Sequence, residues 1–409
     1  MILKASIVVP LEGPPISDGA VMVDDDCIVA VGPASELVGK NGKEVHDLGG
    51  MVLLPGLINA HCHLDYTTLR YAISPQPSFT AWVRRINAIK RTLSNDDYED
   101  AIARGFRELQ RWGTTSVCNI ESIPELMTSL PEPPIRTWWC YEMIDIRHRV
   151  TTDDVVRGAL SFFQNEPDAL SRFGLSPHAP YTASRSLYRL AGACAGTLKM
   201  LLTTHVAESR EEREMFGAAR GPLYDFMQSL GRSMEDCGST TPFNHLWRTG
   251  AIDRQWLLAH MNELSENDFS LLASLTAEER PNIVHCPGSH AYFNHSPFPY
   301  RRLHELGLNL CVGTDSLAST HSLSLLGELR RLRRSEPWLS APELLATVTT
   351  NAARALDMTD KLGVLRAGAC ADLIALPVTG NLDTVHDEIV DFRHPIPWMM
   401  IDGKIRPQP

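Results

Sequence analysis

Two histidines separated by one residue, His61 and His63, stand at the end of the run Pro55-Gly56-Leu57-Ile58-Asn59-Ala60. On an extended strand, side chains at i and i+2 project to one side, so both imidazoles can meet a common ion. The pattern is weak alone, since fifteen histidines in 409 residues yield such a pair by chance roughly half the time. Two further donors strengthen it. His205 ends Leu201-Leu202-Thr203-Thr204, and Asp315 ends Leu310-Cys311-Val312-Gly313-Thr314; both preceding runs read as short buried strands. Three neutral imidazoles and one carboxylate suit one divalent ion, zinc first and iron or manganese on the same donors, with a coordination position left for water. Cys62, between the histidines, would point away from the ion.

If each of these runs is a strand of a closed parallel barrel, its C-terminal end opens on the mouth where such folds keep their chemistry. Strands are expected near 53–59, 115–120, 137–144, 172–176, 200–205, 256–260, 281–285 and 309–313. Helical stretches separate most of them. Ser94-x-x-Asp97 resembles a capping box ahead of Ile102, Phe106 and Leu109 at helical spacing, and Ser340-x-x-Glu343 opens another before Leu344 and Leu345. The alternation predicts an α/β fold, a (β/α)8 TIM-like barrel. Both ends of the chain instead read as short strands broken by turns, among them Ile7-Val8-Val9 and, near the other end, Ala371 to Leu376. They predict a small discontinuous β-sandwich, a composite β domain of 1–51 and 365–409 beside a barrel of 52–364.

The formal charge of −11 argues against nucleic acid or an anionic membrane surface as partner and leaves a small-molecule substrate as the expectation. No apolar run approaches the roughly 20 residues of a membrane span, and Met1 to Pro10 lack the features of a signal peptide, so a cytoplasmic location is expected. The nine cysteines are odd in number and never form Cys-x-x-Cys, which reads as core residues in a reducing compartment.

Taken in order, Pro-Gly-Leu-Ile-Asn-Ala-His61-Cys-His63, His205-Val-Ala-Glu208, Leu-Ala-His260, His285-Cys-Pro-Gly-Ser289 and Gly-Thr-Asp315-Ser resemble the amidohydrolase superfamily across essentially the whole chain. The resemblance is strongest to its mononuclear deaminase and chlorohydrolase branch, which includes methylthioadenosine/S-adenosylhomocysteine deaminases and aminodeoxyfutalosine deaminases. It implies one metal ion, and members of the family often form homodimers. Two-metal relatives carry a carbamylated lysine on the fourth strand, whereas Arg172 to His178 contains no lysine. The Pro-Cys-x-x-Cys of the unrelated cytidine deaminases is also missing.

The resemblance further implies roles. Asp315 would take a proton from the attacking water while touching the metal, His260 would orient the hydroxide, and Glu208 would protonate a ring nitrogen beside the attacked carbon. A satisfied core histidine is the other reading of His260, and a carboxylate favoured by a helix N-terminus that of Glu208. Substrate contacts would come from His178, Trp82, Ser289 and His290, although His290 stands where the nearest deaminases usually show asparagine. Arg147, in Arg147-His148-Arg149, would hold a carboxylate-bearing substrate or belong to a solvated charge run. The implied activity is release of ammonia from an amino-substituted purine nucleoside or related heterocycle, of the aminodeoxyfutalosine or methylthioadenosine type. Hydrolysis of another C–N or C–Cl bond, in guanine, a cyclic amidine or an s-triazine, is the alternative; a non-catalytic metal- or ligand-binding barrel is the reading from a different class.

Overall fold

The computed structural model describes residues 1–39, 42–129, 131–146, 150–163 and 169–407. Its central feature is a curled parallel sheet of strands β1 (Leu57–His63), β2 (Thr114–Glu121), β3 (Arg136–Met143), β4 (Ser171–Pro177), β5 (Leu201–Val206), β6 (Trp256–His260), β7 (Asn282–His285) and β8 (Leu310–Val312, resumed at Asp315–Ser316). Each strand pairs in parallel with the next. The two segments of β8 have different neighbours: the first pairs with β7, and the second pairs with β1 through Asp315 opposite Cys62 and Ser316 opposite His63. The ring therefore closes at the residues that carry the candidate donors. Gly313 makes the crossing sterically feasible, since a Cβ there would lie 2.8 Å from the His61 carbonyl oxygen and 2.9 Å from its Cβ.

Every residue of β1, β2, β5, β6 and β7 is buried, as expected of strands covered on both faces. Ile58, Ala60, Cys118, Ile120, Trp138, Cys140, Leu257 and Ala259 pack together inside the ring. Leu57, Val117, Leu202 and Leu258 face outward to helical residues such as Ile102, Phe106 and Leu109. These three lie on helix Asn95–Arg111, which starts on Ser94 with the expected capping box; Ser340 caps Ala341–Ala346 in the same way.

The termini pair into one sheet, in the order Lys404–Arg406, Trp398–Ile401, Leu373–Pro377, Met51–Pro55, Ile2–Val8, Ile16–Asp24 and Cys27–Pro33, with Val45–Asp47 beside Ile2–Val8. The strand expected over 53–59 is thus two strands. Leu53, Leu54 and Pro55 pair with Ala375, Ile374 and Leu373 of the terminal sheet, and β1 begins only at Leu57. Pro55 lacks the N–H that would continue a ladder, and a Cβ on Gly56 would overlap the Thr115 side chain, so the chain changes sheets at this pair.

Arg136, at the start of β3, fastens the two parts. Its Nε donates to Asp372 Oδ2 at 2.6 Å and its Nη2 to Asp402 Oδ1 at 2.7 Å. Arg136 and Asp372 are buried. Among the described residues no helix is long and apolar enough to cross a membrane.

Candidate active site

A local irregularity aims the first two donors. Ile58 and Ala60 face the interior, so strict alternation would turn His61 and His63 outward. The β1–β2 register shifts between Asn59 and Cys62, and beyond the shift Cys62 packs with the outer apolar shell. A bulge of this kind re-phases a strand next to a site. His61 and His63 consequently share one side, with ring centroids 5.1 Å apart.

Two of the other donors, and the residue just before Glu208, sit at strand ends in left-handed backbone. His260 has φ 77° and Asp315 φ 57°, and Ala207, just before Glu208, has φ 52°. Non-glycine residues occupy this region at a cost and are concentrated at functional sites. Neighbouring strands hold the turns: the Met261 N–H donates to the Val206 carbonyl, the Glu263 N–H to Ala207, and the Asn262 amide to the Glu208 carbonyl at 3.0 Å. Glu208 is thereby set at the mouth, and its own N–H donates to Glu212.

These turns bring the donors together. One donor atom from each of His61, His63 and Asp315 lies within 4.8 Å of the others; the same holds for His61, His205 and His260, and for Glu208, His260 and Asp315. Asp315 Oδ1 is 4.0 Å from His61 Nε2 and 3.9 Å from His63 Nε2. Both spans are too long for hydrogen bonds and fit within twice a zinc–nitrogen bond of about 2.0–2.1 Å. His205 Nδ1 donates to the His178 carbonyl at 2.8 Å, which leaves a lone pair on Nε2. That Nε2 faces His63 Nε2 at 3.2 Å, so a cation or a proton belongs between them. Both ring nitrogens of His61, and His63 Nδ1, are buried without a partner. The donor set fits a divalent ion, and its surroundings orient it: Ser289 donates to Asp315 Oδ2 at 2.6 Å, Ser319 at 3.1 Å, and the Ser316 N–H holds Oδ1.

Burial, reinforced by neighbouring imidazoles, pushes His61, His63 and His260 well below the usual histidine range. His205 and His178 are each pushed down to about 4, again chiefly by burial. All five therefore stay neutral at physiological pH, the form that binds cations. Burial, then the charges of Asp315 and Glu212, push Glu208 well above the usual carboxylate range. A carboxyl group whose protonated form is favoured thus lies beside the donors, with Glu208 Oε1 3.6 Å from His260 Nε2. Such a set can bind a Lewis acid and hand a proton to a bound heterocycle.

The remaining expected residues scatter around this centre. His178 lies against it, its ring centroid 5.0 Å from that of His205 and its Nδ1 2.6 Å from Thr182 Oγ1. Trp82 belongs to helix Phe79–Lys90 and packs on Phe293, 5.0 Å between centroids. Glu211, three residues after Glu208, accepts from the Phe79 and Thr80 N–H groups, which ties that helix to the mouth. Ser289 faces Asp315, and His290 Nε2 contacts the Ser296 carbonyl at 2.8 Å. Arg147 falls outside the described residues. Sequence reasoning overlooked Glu142 and Ser176, which face the interior; the alternation Trp138, Cys140, Glu142 was the available signal.

Residues 52–405 match the model of the Amidohydrolase family. A curated relative, the 5-methylthioadenosine/S-adenosylhomocysteine deaminase of Pyrococcus furiosus, is 28% identical over 391 residues, 91% of this chain and 85% of that protein. Among solved structures, the aminofutalosine deaminase of Helicobacter pylori in complex with methylthio-coformycin aligns with a TM-score of 0.86 at 23% identity, covering 99% of each chain. The zinc-complexed atrazine chlorohydrolase of Arthrobacter aurescens aligns with a TM-score of 0.82 at 21% identity, covering 99% of this chain and 94% of the other.

Proposed function

The chain belongs to the amidohydrolase family and is a hydrolase acting on carbon–nitrogen bonds; from that premise we propose that it is a metal-dependent hydrolytic deaminase of an amino-substituted purine nucleoside or related heterocycle. The observation that carries this reading is the placement of Glu208 within donor distance of Asp315 and His260, where burial pushes its carboxyl group well above the usual carboxylate range. His61, His63, His205 and Asp315 would hold the ion, zinc in the first instance. When bound, it supplies Lewis acidity that lowers the pKa of water from about 15.7 toward 7.

The chain's own groups perform the rest. Asp315 Oδ1 takes the proton of the attacking water, while Ser289 and Ser319 hold Oδ2 and fix the carboxylate plane. His260 accepts a hydrogen bond that aims the water at the sp2 carbon, its neutral ring being enforced by burial. Glu208 gives its proton to the ring nitrogen adjacent to that carbon, which drains electron density from it. The proton held by Asp315 then passes to the amino group, which leaves as ammonia, while the proton of the added hydroxyl restores Glu208 and the ring nitrogen keeps the one it received. His178 and Trp82 would contact the body of the substrate.

The relatives support this reading: the Pyrococcus protein is named as a deaminase, and the Helicobacter structure holds methylthio-coformycin. A second reading, displacement of chloride from an s-triazine, is favoured by the likeness to the chlorohydrolase, because a proton on a ring nitrogen assists either leaving group. Metal-loaded protein should be screened for ammonia from adenosine, methylthioadenosine, S-adenosylhomocysteine, aminodeoxyfutalosine and guanine, and for chloride from a chlorinated s-triazine. Ammonia from a nucleoside supports the proposal; chloride alone, or ring opening without ammonia, overturns it. The partition into a composite β domain of 1–51 and 365–409 and a barrel of 52–364 belongs to the same proposal, with limited proteolysis as its test.

A further inference from the structure

Glu142 and Ser176 are neighbours across the β3–β4 ladder. Two residues before them, Cys140 packs inside the ring, and a Cβ on Gly174 would lie 2.6 Å from Cys140 Sγ. Both residues therefore project into the barrel near its mouth. Ser176 is fully buried, and its Oγ has no partner. The Glu142 side chain is 10% exposed, and His178 Nε2 lies 4.0 Å from its Oε1, beyond hydrogen-bond reach. Among the described residues Glu142 accepts no hydrogen bond.

Several other carboxylates at the mouth have at least one donor, although Asp65 Oδ1 and Glu212 Oε1 are left without a partner. Asp315 is held by two serines, Asp65 by Ser122, Glu212 by the Glu208 N–H and Glu211 by Thr80. Lys90 donates to Tyr66 and Ser122, and among the described residues no ion pair joins a lysine or arginine to Glu142. A carboxylate withdrawn from water without donors is costly, and the cost is offset when a ligand brings them. A carboxylate accepts through two oxygens side by side, which matches two neighbouring O–H donors.

We propose that Glu142 and Ser176 form a substrate subsite that grips vicinal hydroxyl groups, as on a sugar ring, beside the metal donors. The inference rests on the deaminase reading for its substrate class and makes the site selective for ribosyl over sugar-free or deoxygenated heterocycles. Anionic substituents are repelled from the same position.

The test compares zinc-loaded wild type with Glu142→Gln and Glu142→Ala on adenosine, 2′,3′-dideoxyadenosine and adenine, by calorimetric affinity as well as by ammonia release. Wild type should favour adenosine over the dideoxy compound by roughly 10- to 100-fold, and both variants should collapse that ratio toward one, with KM rather than kcat carrying the change. Metal content and melting temperature should match wild type in Glu142→Gln. A ratio preserved in the variants, with both ligands weakened alike, would overturn the subsite and make Glu142 a positioning residue for His178. Tight, hydroxyl-dependent binding without ammonia would reject the deaminase reading and leave the subsite standing. Ammonia from heterocycles with no preference for ribosyl ligands would reject the subsite alone, and no binding of any ribosyl ligand by wild type would overturn both.

Discussion

Two buried polar clusters in this molecule differ in how completely the protein satisfies them. Where the terminal sheet meets β3, Arg136 reaches Asp372 and Asp402 through short charge-assisted bonds, and the Asp402 N–H returns to Asp372 Oδ1 at 2.8 Å. Among the described residues none of these three leaves a buried side-chain polar atom unpaired. At the barrel mouth both ring nitrogens of His61, one of His63, and Ser176 Oγ have no partner. Native proteins pair nearly all buried polar groups, so the first cluster reads as a fastener and the second as a receptor for something the chain does not itself supply.

Four experiments press on that contrast. The largest effect is expected from His61→Ala, which should abolish metal retention and lower turnover by more than about 1,000-fold; full metal content in the purified variant would remove His61 from the donor set. Glu208→Gln should leave the metal in place and reduce kcat by about 100- to 10,000-fold, and unchanged turnover would assign the proton transfer elsewhere. At the fastener the response should invert. Arg136→Ala strands Asp372 without its cation and should cost about 3–5 kcal/mol in denaturant unfolding, while kcat per bound metal stays at the wild-type value. A loss of activity without a loss of stability would contradict the assignment.

The smallest effect is a pH dependence. Glu328 is fully buried and accepts from the Gly288 N–H and from Arg331; burial pushes its carboxyl up to about 7, against the partial opposition of Arg331. The native state therefore binds more protons than the unfolded chain between the ordinary glutamate pKa and about 7. The associated stability is complete below pH 4.5 and is lost as pH rises through 7, at most about 3 kcal/mol. Glu328→Gln should flatten the fall in melting temperature between pH 5 and pH 8. An unaltered slope would show that another group titrates there.

The mouth was largely readable from the sequence because each expected ligand ends an apolar run: His61, His63 and His205 stand at the ends of strands, and Asp315 stands where β8 resumes. What the sequence hid were matters of phase and partner. Pro55-Gly56 lies inside one continuous apolar stretch, yet the chain changes sheets there. The bulge that turns His61 and His63 inward leaves no mark on residue types, and plain alternation from Ile58 would have pointed them outward. Ser289 was expected to face the substrate, and only the approach of β8 to the helix Pro287–Phe293 after β7 reveals its bond to Asp315. Glu142 escaped notice because its meaning depends on the register that sets it beside Ser176 and on Lys90 being engaged elsewhere.

The most direct test of the central claim is a titration of metal-free protein with zinc, following bound metal and ammonia release from the best nucleoside substrate together. Activity rising in proportion to bound zinc and reaching a plateau at one ion per chain, with Glu208→Gln binding the same single ion in silence, is the predicted result. A plateau at two ions per chain, or full activity before any ion is bound, would contradict it.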